Sequence, residues 1–445
     1  MIADSASRRP MWMSNVKRVV VWLISLILWP LVTLLERAGV RFLVGAHVLS
    51  RIGHTSLVPD VYIKTALLGW RPTHRNVLLA PPSALANPAL VRCWRRHLRV
   101  VTNPWLVALL RPLEWQTRLR CDLSRQSLSD GRQVKPIPAI FPVQRAYEAK
   151  FGDRPLLTLS ESEEAQGRVR LRQLGIPEGA WFVCLHVREE GYLPELAYHA
   201  YRNSDIRTYL PAVEAIVQRG GWVIRMGDAS MSPLPRMKHV VDYVHSGLQS
   251  DWMDIFCFAR CRFFLGDTSG PFAVSFVFGV PCALANFTPL GHPVFGARNL
   301  WIPKRYHSVR EAREMTFSEL LHSPARLFCR TEEYEAAGLS WIDNTPDNIR
   351  DMTLEMLERL GGVFRYAEQD EQLQRRFHEL LALDPLWTTT SRVGRDFLRR
   401  HAWLLEGPVV SAGSAPGPAK TVLTGPLGLN GQSNAPSCHE HVLRG

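Results

Sequence analysis

The 445-residue sequence has little of what announces a metal or redox protein. Its eight cysteines (Cys93, Cys121, Cys184, Cys257, Cys261, Cys282, Cys329, Cys438) are scattered, with no CxxC pair and no Cys/His spacing of the zinc-ligand kind. Reduced structural thiols are therefore expected, and they suit the cytoplasm. Acidic residues are the minority, 41 Asp and Glu against 53 Lys and Arg, so the formal charge is +12 and the pI near 9.6. An anionic partner is expected, whether phosphate, lipid or nucleic acid. No basic strip interleaved with aromatics is present, which argues against nucleic acid. Internal repeats are absent too, and 46% hydrophobic residues in a chain this long allow two or three domains with real cores.

The apolar N-terminal run is too short to span a bilayer comfortably. "VVVWLISLILWPLVTLL", from Val19 to Leu35, carries no charge over 17 positions against the roughly 20 a spanning helix needs. Pro30 interrupts it. Trp12 and Trp22 with Arg8, Arg9, Lys17 and Arg18 form an amphipathic, basic flank. A buried core helix, a signal anchor and a monotopic helix in one leaflet all fit, and the flank favours the last. The positive-inside rule would leave the N-terminus in the cytoplasm. No small-residue cleavage site follows the run.

What is there divides the chain into five stretches. Residues 1–40 are the basic flank and apolar anchor helix, and residues 41–150 a first α/β domain. In that domain "RFLVGAHVLSRIGH" reads as a strand running into a glycine turn at Gly53-His54, and "NVLLA" as a buried strand. "NPALVRCWRRHLRVV" reads as a helix and the proline-bearing "QVKPIPAIFPVQ" as a connector. Residues 151–345 alternate clearly. Helix "ESEEAQGRVRLRQLGIP" precedes strand "WFVCLH", followed by helix Ile206 to Gln218, strands "WVIRM" and "VVDYV", and helix "DWMDIFCFARC". Strand "RFFLG", helix "PFAVSFVFG" and strand "PCALA" complete the series. Such alternation predicts a doubly wound parallel sheet with a ligand crevice at its carboxyl edge. Residues 346–404 read as helices, "TPDNIRDMTLEMLERLGG" being the best capped. Residues 405–445 have the Gly/Pro/Ser/Ala composition of an unfolded tail.

Five strands of the alternating stretch end in polar or glycine-rich residues: "HVREE" (186–190), "RMGD" (225–228), "HSG" (245–247), "GDTSG" (266–270) and "ANFTP" (285–289). Parallel strands bring such tips to one edge. After Gly266-Asp267, the residues Thr268, Ser269 and Gly270 open a helix at Pro271. That presents free backbone N–H groups and two hydroxyls at the positive end of a helix dipole, which suits a phosphate; the alternative is a tight turn with Ser269 as N-cap. Arg188 and Arg225 would add charge-assisted hydrogen bonds to a diphosphate, or else pair with Glu189 or Asp228. His186 fits a ribose, phosphate or sugar hydroxyl, or a structural role. Glu189, Glu190, Asp228 and Asp267 are candidate bases or solvated loop charges. In "YRNSDI" Arg202 and Asp205 are candidate ligand contacts, although Asp205 or Ser204 as an N-cap is the simpler reading. Asn286 joins the binding set, and His54 of the first domain could deprotonate a hydroxyl.

Taken together, "CLHVREEGY", "YRNSDIRTYLPAVEAI", "GGWVIRMGD", "DYVHSGLQSDWMDIF" and "FFLGDTSG" resemble a family of bacterial glycosyltransferases that combine HVRE, RNSDI, RMGD and SDWMDIF motifs. The resemblance covers about Glu161 to Pro289. The HxR element is similar to the donor-site HxR of GT-B-type fucosyltransferases, where the arginine contacts the nucleotide diphosphate. The resemblance implies a GT-B fold, with two Rossmann-like domains facing a cleft: 41–150 for the acceptor and 151–345 for the donor. It implies Arg188 as the donor-phosphate residue and His186 as its neighbour, with Glu189 standing where those enzymes carry a second arginine. The expected activity is metal-independent transfer, since no DxD stands near a strand end. The nucleotide-sugar serves as co-substrate and no separate cofactor is expected. A glycan or lipid-linked acceptor, a membrane surface, and the cytoplasmic face of the inner membrane complete the expectation. The rivals are a sugar-nucleotide epimerase or hydrolase of the same fold and a nonenzymatic membrane scaffold.

Overall fold

The computed structural model describes residues 28–189 and 194–407. The basic flank, Trp12, Trp22, residues 19–27, Glu190 and the tail from 408 lie outside the described residues. The rest of the apolar run, 28–35, belongs to a helical segment ending at residue 37. Among the described residues no helix is long and apolar enough to cross a membrane. The chain divides into two compact units, 1–139 and 140–445.

The first unit runs β1 (Val40–Val44), α1 (Ile52–Leu67), β2 (Arg75–Leu79), α2 (Pro88–Cys93), β3 (Arg99–Val101), α3 (Pro104–Glu114) and β4 (Arg120–Asp122). Its strands form one parallel sheet in the order β3-β2-β1-β4. Side chains alternate across a strand, and Phe42 pairs with Val77 and Leu79 with Val101, so Val40, Phe42, Val77, Leu79 and Val101 share one face. Segment 28–37 and α3 cover that face, burying Val32, Val107 and Leu113 in one cluster with Phe42 and Leu79. Helix α1 takes the opposite face, where the Tyr62 hydroxyl donates to Asn76 Oδ1 at 2.8 Å.

Three expectations for this region need correction. Gly53 and His54 are not a turn; they sit in the first turn of α1. Nearly every α1 side chain from Thr55 to Thr65 is buried, so the segment shows no polar face from which a helical period could be read. Helix α2 stops at Cys93, and Arg99–Val101 is a strand. The connector "QVKPIPAIFPVQ" lies largely within a helix, α4 (Pro136–Phe151). Proline in a first turn loses no hydrogen bond, and Pro142 costs α4 only one internal bond. The thiol expectation also shifts: Cys93, Cys121, Cys184, Cys257, Cys261 and Cys282 are free, but Cys329 is disulfide-bonded.

The second unit carries α5 (Glu161–Gln173), β5 (Phe182–His186), α6 (Leu210–Gln218), β6 (Trp222–Arg225), β7 (Val240–Asp242), α7 (Asp251–Arg260) and β8 (Phe264–Gly266). It continues with α8 (Pro271–Val277), β9 (Cys282–Phe287), β10 (Leu300–Pro303), β11 (Arg305–Ser308), β12 (Leu339–Ile342), α9 (Pro346–Leu360) and β13 (Arg392–Val393). Helix starts follow the sequence closely: Ser160 and Glu163 form a capping box on α5, and Thr345 caps α9. Seven strands pair in parallel in the order β13-β10-β9-β8-β5-β6-β7. The central strands β5 and β9 are buried along their whole length, as strands covered on both faces must be. The region after residue 346 is not a separate appendage: α9 packs on α6, and β13 extends the large sheet.

Candidate active site

The strand order of the large sheet places the site. From β5 the chain first builds outward through β6 and β7, then returns to add β8 on the other side of β5 and continues through β9, β10 and β13. The order reverses between β5 and β8, and the carboxyl ends of strands at such a reversal are where doubly wound sheets bind ligands. His186 and Gly266 end those two strands and are register partners. The "HVREE" and "GDTSG" tips are therefore neighbours. The approach is so close that a Cβ on Gly266 would lie 2.3 Å from the His186 carbonyl oxygen, so only glycine fits there.

Asp267 follows Gly266 and is fully buried. Its Oδ2 accepts the Arg188 backbone N–H at 2.7 Å, tying the two tips together. Burial pushes the carboxyl up to about 6, opposed by that hydrogen bond and by Arg202 and Lys304 nearby. His186 is also buried, and desolvation together with Arg225 and Arg188 lowers it to about 4, so it is neutral at physiological pH. Neither His186 Nδ1 nor Asp267 Oδ1 has a hydrogen-bond partner among the described residues. Buried polar atoms without partners are rare and mark a place where a water or ligand group belongs.

The positive charge comes from an adjoining loop as well as from the tips. Arg188 Nε donates to Asn203 Oδ1 at 3.1 Å, and Arg202 Nε donates to the Thr268 carbonyl at 2.8 Å. The "YRNSDI" segment is thereby fastened across both strand ends. Lys304, just past β10, is fully buried; its Nζ donates to the Asn203 carbonyl at 2.8 Å and pairs with Asp343 at 2.7 Å. Burial lowers its pKa. The Thr268 hydroxyl accepts the Thr288 N–H at 2.9 Å, and Ser269 Oγ donates to the Asp267 carbonyl at 3.4 Å. Ser269 is not the N-cap of α8: Gly270 is, without a side-chain cap. The Ser269 and Gly270 backbone N–H groups carry no hydrogen bond among the described residues.

Other candidates do structural work, which for Arg225 and Asp205 is of the kind the sequence also allowed. Arg225 is fully buried, with Nη2 donating to Glu189 Oε1 at 2.9 Å and Nη1 to Asp242 Oδ1 at 3.3 Å. It braces the ends of β5, β6 and β7, and its pair with Glu189 is the alternative to a diphosphate contact that the sequence left open. Glu189 also accepts the Ser232 N–H at 2.9 Å through Oε2, so both of its oxygens help to hold the strand ends together. Asp228 accepts from the Ser230 N–H and hydroxyl, an Asx turn rather than a base. Asp205 accepts the Arg207 N–H at 2.9 Å and pairs with the Arg207 guanidinium, so it is an N-cap and not a crevice residue. Asn286 is fully buried in a reciprocal bond with Asn344, each backbone N–H donating to the other's Oδ1 at 2.6 Å, so its amide is turned to holding the chain. His54 belongs to the first unit.

Sequence reasoning missed Asn203 and Lys304. A signal for Lys304 existed: "LWIPKR" is one more apolar strand ending in charge. Asn203 lay within the "YRNSDI" motif, but its role depends on folding back over β5 to meet Arg188. Among the described residues no three His, Cys, Asp or Glu side chains cluster so as to hold a metal ion.

No family model matches the chain, and no curated protein matches it. Among solved structures, a glycosyl transferase family 9 protein from Veillonella parvula DSM 2008 is similar at 12% identity, over 56% of this chain and 68% of that one, with a TM-score of 0.27. A likeness that slight carries no argument. The class, mixed α/β with parallel sheets in Rossmann-type strand order, rests on the strand pairing itself.

Proposed function

We propose that the chain is a glycosyltransferase that draws on a nucleotide-sugar donor, with the donor diphosphate seated at the crevice between β5 and β8. The supporting observation is the junction of two strand tips at the reversal of the sheet. Arg188 and Arg202 stand beside two unsatisfied backbone N–H groups and two buried polar atoms without partners. Loss of a nucleoside diphosphate builds negative charge on the leaving oxygen. Guanidinium groups fixed by Asn203 and by the Thr268 carbonyl would meet that charge in place, in keeping with a donor site that uses cationic side chains instead of a metal. Neutral His186 offers a ring nitrogen for a hydroxyl or phosphate oxygen. Asp267, held to the Arg188 backbone, orients the tip rather than the side chain. The acceptor reading is a glycan or lipid-linked hydroxyl, and the apolar run at 19–35 supports a chain held peripherally or monotopically at the cytoplasmic face of a membrane.

Calorimetric titration with UDP-, GDP-, ADP- and CMP-sugars tests this. One nucleotide class should bind, and Arg188→Ala should weaken it by about 10- to 100-fold. That substitution keeps the backbone N–H on which Asp267 depends, so it removes only the guanidinium. Arg202→Ala should act alike. Absence of binding by every nucleotide class would overturn the reading, and turnover of donor without any acceptor would replace transfer by hydrolysis or epimerisation.

A further inference from the structure

We infer that the outer face of the helical layer in the first unit, formed by segment 28–37 and α3, docks on an anionic phospholipid bilayer. It extends the membrane association proposed above from the N-terminal run to a helix some 70 residues further on. Both helices cover the same face of the first sheet, so their outward sides form one surface. Those sides are apolar. Twelve large apolar side chains are exposed among the described residues, and seven of them fall within 29–34 and 105–115. Trp105 is 84% exposed, Leu109 72% and Leu34 64%, with Trp29, Leu31 and Leu106 beside them. Residues 104–110 carry no charge at all. A helix that buries one apolar side on its own sheet and turns tryptophan and leucine outward on the other offers a bilayer interface a contiguous apolar side, whereas scattered exposed leucines would need no explanation.

Charge identifies the occupant. Residues 1–139 hold 20 Lys and Arg against 6 Asp and Glu, and residues 140–445 hold 33 against 35. The first unit thus carries +14 and the second −2, which together make the +12 of the whole chain. Part of this charge borders the apolar surface. Arg99 on edge strand β3 and Arg120 on edge strand β4 pair with Val77 and Phe42, on the same sheet face as the two helices, and both are exposed. Arg37 is exposed at the end of segment 28–37, and the Arg118 guanidinium lies 4.8 Å from the Trp29 ring centroid. An apolar centre inside an arginine rim matches acyl chains beneath anionic headgroups. In the sequence, segment 28–37 directly follows the uncharged stretch 19–27.

The test is flotation of the full chain with vesicles of phosphatidylcholine alone or with one-third phosphatidylglycerol, without nucleotide. The chain should bind the mixed vesicles more tightly. Trp105→Ala with Leu109→Glu should weaken that binding by at least about tenfold. Leu67→Glu, on an exposed residue of the helix covering the opposite sheet face, should not. Leu34→Glu repeats the test on the other helix should the double variant fail to fold. Arg99→Gln with Arg120→Gln should reduce the preference for anionic vesicles. Equal vesicle binding by parent and double variant would overturn the inference. So would a failure of the parent to bind, or a concentration-dependent dimer abolished by the double variant with vesicle binding intact. Donor titration of the same variants keeps the two proposals apart, since docking predicts unchanged nucleotide affinity.

Discussion

The two parallel sheets begin with the same strand order and present opposite chemistry at their carboxyl edges. In the first, the tips of β1 and β2 lead into Gly45 and Pro81, and a cavity of about 30 Å³ beside them is lined largely by Leu43, Leu49, Leu78, Leu79 and Ala84. Its only charges, Arg111 and Glu114, pair with each other at 2.9 Å. Space of that size holds about one water. In the second, β5, the counterpart of β1, and β8, the counterpart of β4, lead into His186, Arg188 and Asp267, with Arg202 and Lys304 arriving from elsewhere. Strand order thus fixes where a crevice can form, while the residues at the tips decide what it recognises.

The sharpest way to break this comparison is through arginines at the two edges. Arg225 is completely buried and holds two carboxylates. Replacing it by Met removes the buried cation that Glu189 and Asp242 share, and removal of one partner from a buried ionic cluster costs about 3–5 kcal/mol. Arg111 in the first unit is partly exposed and pairs once, so Arg111→Met should cost about 1 kcal/mol or less. Urea denaturation followed by circular dichroism compares them. Similar losses for both variants would show that Arg225 is no brace, and would return it to the list of ligand contacts.

A second contrast lies inside the crevice, where His186 and Asp267 are displaced in opposite directions. Asp267 titrates near 6 in the fold, so between about pH 4 and 6 the folded chain keeps a proton that the unfolded chain has released. Its contribution to stability is full below pH 4 and falls as pH rises to 6. His186 titrates near 4, so between pH 6.5 and 4 the unfolded chain takes up a proton that the folded chain refuses. Its contribution is full above pH 6.5 and is lost as pH falls. Each amounts to about 3 kcal/mol, and the two largely cancel in the parent. Relative to the parent, Asp267→Asn should therefore gain stability as pH rises from 4 to 6, and His186→Gln should lose it. Parallel pH profiles for parent and both variants would mean that neither group is desolvated.

Much of this edge was readable in advance because it obeys local rules. Apolar runs of strand length followed by Gly, Asp or Arg marked five tips, and the caps at Ser160 and Thr345 follow from single side chains. What stayed hidden depends on partners remote in sequence. Arg225 sits opposite Asp242 only because β6 and β7 pair in that register, and Asn286 is fixed by Asn344, 58 residues away. Helix α1 was hidden for another reason, burial on nearly all sides, which erases the contrast that periodicity needs. The outward apolar face of α3 was hidden in turn, because a leucine-rich helix reads as core until the sheet face it covers is known.

The smallest effect separates two residues of one motif. In "YRNSDI", Arg202 reaches across to the Thr268 carbonyl, whereas Asp205 turns back to cap residues 206–209 and to pair with Arg207. Asp205→Ala removes an N-cap, worth about 1 kcal/mol, and an exposed ion pair worth little more. It should lower the melting temperature slightly and leave nucleotide affinity unchanged. Arg202→Ala should do the reverse, because its guanidinium is partly exposed and has one hydrogen bond to lose within the fold. Donor titration and thermal denaturation of the two variants, run side by side, give a crossed result if the crevice is bounded as described. A drop in affinity for Asp205→Ala equal to that for Arg202→Ala would extend the binding edge by three residues and make the helix cap part of it.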